Sequence, residues 1–402
     1  MELKTKKRPY IIPDYSITGD ILSYHSCGLQ YRLQNKGELP PARPVQLWFG
    51  QFMHGSLEEA YLRWKDKQDY REFPLNWKAK IRDIELTVYR RLAAGGIRAP
   101  PNIFCPYEEP NDKLGGCPNT NHPHQLIASK RVERALNIWA PHLFTLISEA
   151  EVKLKGTRPM PKYSQDVSRS RHYGITGIVD VLALLKVANA GSDNLILKKI
   201  KDEEFGPELI KEAEQNNFDI IIDYKGMARP RSSDEEWKHH FDQVMTYAWL
   251  REKQSESNKV RVAIIFYLNE LVPSEGDLKK LQKAVSSNNS SKDKDILLNN
   301  ADVALLESWK GGAPLPTLSL DSMINRSIRI IQVNKQNIDL SLSSIDNAVS
   351  EIESSVIDEM QGKEILKTWK TFPRDETCTI CDFKTFCPST TDKRPPGIVG
   401  GV

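Results

Sequence analysis

Asp223-Tyr224-Lys225 places an acid and a base two residues apart at the end of an apolar run. The preceding residues, 218–222, contain three consecutive isoleucines, which is typical of a buried strand. Side chains alternate along a strand, so Asp223 and Lys225 point to the same face. A carboxylate can bind a hard cation, and a nearby lysine can hold or deprotonate a water molecule. The pair therefore indicates metal-assisted hydrolysis, although an ordinary solvated ion pair has the same residues.

Two further acidic residues lie on predicted strands. Residues 146–154 alternate apolar and charged side chains, which predicts a half-exposed strand that carries Glu151. Residues 174–185 form a more apolar strand that contains Asp180. An aspartate in such a strand is costly to bury unless it is paired, protonated or bound to a cation. Asp180 therefore requires one of these three explanations.

Two predicted helices carry the remaining candidates. Residues 47–61 form an amphipathic pattern that includes His54, which on its own also fits an ordinary interfacial histidine. Residues 233–251 predict a helix on which Gln243 and Tyr247, four residues apart, share one face. The other predicted elements are helices at 74–95 and 125–139, a charged insertion at 187–217, a strand at 260–268, and one or two long helices at 320–368.

Composition narrows the class of protein. The chain has 402 residues, which suits two or three domains or one large domain with insertions. Its 56 basic and 53 acidic residues give a net charge of +3, which excludes a global attraction to nucleic acid, so any basic surface is local. No apolar run resembles a signal peptide or crosses a bilayer. We therefore expect a cytoplasmic protein, or a nuclear or organellar one in a eukaryote.

The six cysteines are unevenly placed, and in such a compartment they indicate metal binding before disulfides. Cys378, Cys381 and Cys387 form a tight group near the C-terminus, and Cys27 stands alone near the start. A tetrahedral thiolate site needs four such ligands. By ligand count alone, four thiolates suit either zinc or an iron–sulfur cluster.

A second mixed group lies in the proline-rich segment 99–123 and just after it. This group contains two cysteines and two histidines, which are possible zinc ligands, but its spacing lacks the close pairs of a zinc finger. Its members are Cys105, Cys117, His122 and His124.

The order helix, three strands, helix, strand, with these residues on it, resembles the PD-(D/E)XK nuclease superfamily and, more narrowly, its RecB-like branch. Several common motifs in the right order on the predicted elements carry more weight than any one of them. The lone early cysteine and the late cysteine group are similar to a subgroup with an iron–sulfur cluster, which includes AddB-type subunits, CRISPR adaptation exonucleases, replication helicase-nucleases and exonuclease V. The matching motifs are Gly50-x3-His54, Gly177-x2-Asp180, Asp223-x-Lys225 and Gln243-x3-Tyr247.

The resemblance implies an α/β fold with a restriction-endonuclease-like mixed sheet flanked by helices, helical insertions and a C-terminal iron–sulfur region. The implied divisions are an N-terminal segment with the cluster cysteine at 1–40, a helical region at 41–145, the nuclease core at 146–270, a linker and helical region at 271–370, and the cluster segment and tail at 371–402.

The resemblance also implies roles for individual residues. Lys225 would position or activate the attacking water, Gln243 and Tyr247 would orient Lys225 or the DNA strand, and Glu151 would contact a ligand or a second ion. One or two Mg²⁺ or Mn²⁺ ions would be held by His54, Asp180, Asp223 and the backbone carbonyl of Tyr224. A cluster, by resemblance of the 4Fe-4S type, would be held by Cys27, Cys378, Cys381 and Cys387.

The implied activity is phosphodiester hydrolysis by an exonuclease that acts on single-stranded DNA or DNA ends. The implied partners are DNA and a helicase, recombination or CRISPR adaptation protein, with no membrane. Two alternatives remain open on the sequence. One is a catalytically silent DNA-binding or scaffold protein with a nuclease fold, and the other is a zinc-stapled protein that acts on something other than DNA.

Overall fold

A computed structural model describes residues 12–36, 45–107, 124–164, 168–185, 193–286, 295–374, 378–379, 381–385 and 387–390. Within these residues a six-stranded mixed sheet forms the centre of the fold. Its strands are β1 (Asp14–Ser16), β2 (Ile147–Pro159), β3 (His172–Leu185), β4 (Phe218–Lys225), β5 (Val260–Tyr267) and β6 (Ile328–Gln332). β3 is antiparallel to β2 and β4 and parallel to β1, and β5 is parallel to β4 and antiparallel to β6.

Helices cover both faces of the sheet, and short single turns of helix join several of them. The helices are α1 (Ser23–Ser26), α2 (Gly28–Tyr31), α3 (Val45–Asp66), α4 (Arg82–Ala94), α5 (Ile127–Ile138), α6 (Ala140–Leu143), α7 (Leu195–Asp202), α8 (Gly206–Ala213), α9 (Glu235–Glu252), α10 (Glu275–Val285), α11 (Asn300–Ser308), α12 (Leu320–Ser327), α13 (Lys335–Met360) and α14 (Ile365–Thr368). None of the helices in this described part of the chain has the length and apolar character needed to cross a bilayer.

The isoleucines of β4 show how the sheet is held between two cores. Ile220 and Ile222 pack with α3, α4 and α5 on one face, whereas Ile221 packs with α9 and α13 on the other. All three side chains are fully buried, and each burial stabilises the fold by about 1.5–3 kcal/mol. A continuous apolar run is expected for a strand that is covered on both sides.

Most predicted elements agree with the observed ones, including β2, β3, β4, β5 and α9. The charged insertion contains two short helices, α7 and α8, and residues 186–192 before them lie outside the described part. The prediction of one or two long helices over 320–368 is wrong at residues 328–332, which form β6 and pair with β5. This run, Ile-Arg-Ile-Ile-Gln, is too short to be separated from flanking helix by periodicity.

β1 and β6 enter the sheet from outside residues 146–270, the range of the predicted nuclease core. The three residues of β1 are too few for a strand pattern to be visible in the sequence. The predicted division of the chain into segments stays a prediction.

His240, on α9, predicts how the fold responds to acid. Its ring contacts the hydroxyl of Tyr267 at 3.1 Å and lies near Lys225, His239 and Arg329. Burial, followed by these cations, lowers the pKa of His240 to about 2, whereas an unfolded histidine has a pKa of about 6.5. Below about pH 6.5 this histidine therefore binds a proton in the unfolded chain but stays neutral in the folded chain. The free energy of unfolding consequently falls as the pH drops below about 6.5.

We expect the lowered pKa of His240 to cost about 1.4 kcal/mol of stability between pH 7.5 and pH 5.5. Urea unfolding at the two pH values measures this loss. His240→Asn keeps a polar group near Tyr267. Between pH 7.5 and pH 5.5 this variant should lose about 1.4 kcal/mol less stability than the wild type. An equal loss in wild type and variant would contradict this assignment.

Candidate active site at the gap between two strands

β3 changes its neighbour along one edge. β1 pairs with residues 174–176 and β4 with residues 181–185, and β2 pairs with parts of both segments. β1 and β4 must therefore share the edge opposite β2, with a gap between them at residues 177–180. The antiparallel register places Asp180, at the end of this gap, opposite Asp223. Two carboxylates thus meet where β3 and β4 separate.

Asp180 is held from two sides of the gap. Its Oδ1 lies 3.3 Å from Nδ1 of His54, which α3 brings from one face of the sheet. Its Oδ2 accepts a hydrogen bond of 2.7 Å from the backbone N–H of Tyr224. The carboxylate therefore satisfies a backbone donor of β4 just beyond the last β3–β4 pair. The prediction that Tyr224 offers its carbonyl oxygen to a metal stays a prediction.

Asp223 belongs to a second group, which α9 completes from the opposite face. Nζ of Lys225 lies 2.7 Å from Oδ2 of Asp223 and donates a hydrogen bond of 2.7 Å to Oε1 of Gln243. Nε2 of Gln243 donates to Oδ1 of Asp223 and to the hydroxyl of Tyr247, each at 3.0 Å. The side-chain amide of Gln243 therefore holds both Asp223 and Lys225 of β4 in place.

Gly177 lets Tyr247 reach this group. A Cβ atom at Gly177 would lie 2.4 Å from Cε1 of Tyr247 and 3.0 Å from Cδ1 of Ile17. The tyrosine ring is fully buried, so it has no space to withdraw into. The glycine of the Gly-x2-Asp motif is thus required by the close approach of α9 to β3.

Glu151 faces the gap from β2. The β2–β3 register sets it opposite Asp180, and its φ of 54° lies in the left-handed region, which a non-glycine residue rarely adopts. Burial and the neighbouring carboxylates of Asp180 and Glu58 raise the pKa of Glu151, and His54 opposes them. Strain of this kind is often found at functional sites. Glu151 therefore lies close enough to Asp180 and His54 for their charges to shift its pKa.

The side chains of β3 change face at Asp180. In a regular strand, all odd-numbered residues lie on one face. In β3, however, the odd-numbered apolar residues before Asp180 pack with α9, and those after it pack with α3. The change occurs opposite the unusual backbone of Glu151. The first set is Tyr173, Ile175 and Val179, and the second is Val181, Ala183 and Leu185.

The electrostatics of the two carboxylates differ. Burial lowers the pKa of His54, but the Asp180 carboxylate outweighs it and raises that pKa to about 9. Burial raises the pKa of Asp180, but the His54 ring outweighs burial, so the net shift is downward. For Asp223, burial outweighs the nearby ammonium of Lys225, and the pKa is raised. Asp180 is therefore the better compensated carboxylate.

The donor set fits a divalent cation. Oδ2 of Asp223 is buried and lies 2.7 Å from Nζ of Lys225, with no further hydrogen-bond partner in the described residues. Two carboxylates and an imidazole are ligands that suit Mg²⁺ or Mn²⁺, with the imidazole favouring Mn²⁺. In the described residues, no group of three or more His, Cys, Asp or Glu side chains forms a ready-made site for a single ion. His54 and Lys225 instead compensate the carboxylates.

The sequence interpretation missed His240, which lies in the field of the Lys225 ammonium. It precedes Gln243 by three residues on α9, and this spacing on one helix face was the available signal. Its contact with Tyr267 links the site to the end of β5.

Four cysteines meet at a separate cavity. Cys27, between α1 and α2, and Cys378, Cys381 and Cys387 line one cavity of about 30 Å³. None of these four cysteines forms a disulfide in the described part of the chain. Burial, followed by the other three cysteines, raises the pKa of Cys381. The four cysteines therefore line one common cavity, although in the described residues no three of them form a ready-made site for a single ion. The prediction of a metal or cluster at these cysteines stays a prediction.

The other cysteine and histidine group is described in part. Sγ of Cys105 lies 3.3 Å from Nδ1 of His124. Cys117 and His122 lie outside the described residues. The prediction of zinc at this group stays a prediction.

Comparison with known protein families shows which class of protein part of this chain is similar to. Residues 209–388 match the family model described as the PD-(D/E)XK nuclease superfamily, so this part of the chain carries a nuclease domain of that superfamily, whose members generally depend on divalent metals. The six-stranded mixed sheet flanked by helices is consistent with that fold. The match includes Asp223, Lys225 and Gln243 and begins after Asp180. No curated protein matches the chain significantly.

We expect Gly177→Ala to destabilise the protein by about 1–3 kcal/mol, because the added methyl group overpacks the contact with Tyr247. Urea unfolding measures the change. The matched control is Gly276→Ala on α10, where an added Cβ meets no atom closer than 3.8 Å. The double variant Gly177→Ala/Tyr247→Leu should recover part of the loss. If Gly177→Ala is as stable as the wild type, the contact between Gly177 and Tyr247 is not tight.

Proposed function

We propose that the protein is a metal-dependent DNA nuclease and that it acts as an exonuclease on single-stranded DNA or DNA ends. One observation carries this proposal: the Asp180–His54 pair and the Asp223–Lys225 pair lie side by side at the gap between β3 and β4. The superfamily match supports the nuclease class, and the preference for single-stranded ends comes from the resemblance to the RecB-like branch.

The metal would be held by His54, Asp180, Asp223 and the carbonyl oxygen of Tyr224. A bound Mg²⁺ or Mn²⁺ ion would polarise the scissile phosphate and offset the negative charge that develops in the transition state. Without the ion, the Asp180 carboxylate is compensated by the His54 ring. With the ion bound, His54 and Asp180 would both serve as ligands of the ion.

Lys225 would place the attacking water. An ammonium has three N–H donors, and in the described residues the Lys225 ammonium contacts Oε1 of Gln243 and the Asp223 carboxylate. A third donor can hold a water oxygen in line with the scissile phosphorus. In the hydrolysis, the water oxygen bonds to phosphorus, the bond from phosphorus to the leaving oxygen breaks, and the proton of the water ends on the products or the solvent.

Gln243 and Tyr247 would act through Lys225. The Gln243 amide accepts from the lysine and donates to Asp223 and Tyr247, so its orientation is fixed at three points. A lysine side chain has many rotamers, and fixing one of them places Nζ before substrate binds. We therefore assign both residues a positioning role.

Glu151 would contribute from the outer side of the gap. Its pKa is raised by burial and in part by Asp180, so a cation between the two carboxylates would relieve their repulsion. We propose that Glu151 contacts a second ion or a metal-bound water.

We also propose that the cysteine-lined cavity holds an iron–sulfur cluster of the 4Fe-4S type. The cavity joins the two ends of the chain, because Cys27 follows α1 and the other three cysteines follow α14. The backbone N–H of Arg374 donates to Sγ of Cys378, and the Arg374 side chain lies 3.7 Å from Glu235 in the first turn of α9. A cluster here would fasten the termini beside the helix that carries Gln243.

Lys225→Ala should lower the rate of cleavage of a labelled linear single strand by about 100-fold or more in Mg²⁺ or Mn²⁺. The physical reason is loss of the group that holds the water. Gel analysis of the products measures the rate, and a DNA-binding measurement separates chemistry from binding. Lys279→Ala on α10, which removes an exposed lysine paired with Glu275, is the control and should cleave normally.

The outcome that contradicts the catalytic role is equal cleavage by wild type and Lys225→Ala. A circular single strand tests the exonuclease class in the same assay, since an exonuclease needs an end and should leave the circle intact. Cleavage of the circle at the linear rate would replace the exonuclease proposal with an endonuclease.

Protein purified without oxygen should be brown and should contain about four iron atoms per chain. Visible absorbance and iron analysis measure this. Cys378→Ala should lose both colour and iron, and its termini should become more sensitive to protease, because the cluster closes a very long loop. Cys105→Ser is the control, since Cys105 lies outside the cavity lining. Colourless wild type with stoichiometric zinc would exclude the cluster.

A further inference from the structure

One face of β3 is open to solvent next to the candidate active site. A Cβ atom at Gly177 would meet α9, and Val179 packs in the same core as α9. Ile178 lies between these two residues, so it points to the opposite face of the sheet. His54 reaches Asp180 from that face. Ile178 is 50% exposed and lies two residues from Asp180, about 7 Å along the strand. A large apolar side chain is therefore exposed beside the carboxylates.

Two lysines of β2 share this face. The β2–β3 register sets Lys153 opposite Ile178. It sets Lys155 opposite Thr176, two residues further from the candidate active site. Side chains of directly opposite residues point to the same face of a sheet. Leu154, between the two lysines, packs with α9 on the other face, which agrees with this assignment. The two ammonium groups therefore lie on the same side of the sheet as Ile178.

The positive charges of these two lysines are not paired. Both side chains are exposed, and within the described residues neither ammonium makes an ion pair or a hydrogen bond. Acidic residues lie at the borders of the face: Glu151 is at the gap, Asp14 is on β1, and Asp20 is hydrogen bonded to β1. β3 separates β1 from β2, so their backbones are about 10 Å apart. The lysines therefore leave a net positive charge on this part of the face.

The candidate active site opens to solvent on the same side of the sheet. The side chain of His54 is 31% exposed, whereas that of Asp223 is 2% exposed. A substrate must therefore reach the carboxylates past His54, on the face that carries Ile178 and Lys153. The exposed part of β2 and β3 thus continues directly into the site, and an extended chain that lies along it arrives at Asp180.

We propose that Lys153, Lys155 and Ile178 bind the single DNA strand that enters the candidate active site. This inference rests on the proposed function. The two ammonium groups would contact phosphates, and Ile178 would pack against the face of a base. Lysines two residues apart on a strand are separated by about 7 Å, and their charge is opposite in sign to that of a phosphate backbone.

The apolar residue gives this face a preference for single strands. In a duplex the faces of the bases are stacked on each other, and a protein reaches only the phosphates and the base edges. In a single strand the faces of the bases are available to pack against the protein. The lysines would contact the phosphates of either form, whereas Ile178 would contact a base only in a single strand. Ile178 therefore determines which form of DNA binds more tightly.

The first test removes the charges of the two lysines. Binding of a labelled linear single strand is measured without divalent metal, which prevents cleavage, between about 50 and 200 mM salt. Lys153→Gln/Lys155→Gln should weaken binding. It should also lower the slope of log affinity against log salt by about 1.4, because each phosphate contact with a single strand contributes about 0.7.

The matched control for the charges is Lys259→Gln/Lys335→Gln. It removes two exposed lysines that lie near the start of β5, whereas Lys225 pairs with the last residue of that strand. The control changes the net charge by the same amount at the opposite end of the sheet from the candidate active site. It should keep the wild-type salt slope.

The second test removes the apolar side chain. Ile178→Ser should weaken binding of the single strand by about fivefold, which is the effect of no longer burying the exposed half of an isoleucine. The salt slope should not change, because no charge is lost. A blunt duplex of the same sequence should bind as tightly as it binds to the wild type. Leu340→Ser, which removes a 59% exposed leucine of α13, is the control and should bind both forms normally.

Three results would overturn the inference: a salt slope in the double lysine variant equal to that of its control, unchanged single-strand binding by Ile178→Ser, or an equal loss of single-strand and duplex affinity in that variant. Cleavage by the wild type in Mn²⁺, measured separately, tests the proposed function. A wild type that binds with the predicted slopes but cleaves nothing would exclude the nuclease and support the binding face. A wild type that neither binds nor cleaves the strand would overturn both, so the two failures are distinguishable.

Discussion

The structure depends on positive charges that compensate two neighbouring carboxylates shielded from solvent. Asp180 and Asp223 lie opposite each other where β3 and β4 separate, and both side chains are shielded from solvent. Two like charges this close in a medium of low polarity repel strongly. His54 compensates one and Lys225 the other. A divalent cation would compensate both at once, which is why the same geometry suits metal binding.

The gap exists because β1 and β4 divide one edge of β3 between them. It admits α3 from one face and α9 from the other, so the histidine and the glutamine reach the carboxylates from opposite sides. Gly177 permits this convergence by leaving space for the ring of Tyr247. Loop conformations contribute little to these positions, because each of these residues lies on a strand or helix that is buried against the cores.

Much of this site was predictable because its residues belong to elements with strong patterns. The isoleucine run before Asp223 identifies a doubly covered strand, and the four-residue spacing of Gln243 and Tyr247 is a helix pattern. The contacts between elements were not predictable in the same way. The hydrogen bond from the Tyr224 N–H to Asp180 and the left-handed backbone of Glu151 depend on how two strands diverge, which no local pattern encodes. β6 was missed for a related reason, since its pairing with β5 and not its own sequence makes it a strand.

The most direct test of the central claim is a crystal structure of the protein soaked in Mn²⁺, with anomalous diffraction collected at the manganese edge. The account predicts an anomalous peak between the carboxylates of Asp180 and Asp223, within bonding distance of His54. Crystals that hold Mn²⁺ elsewhere but show no peak between these two carboxylates would contradict it.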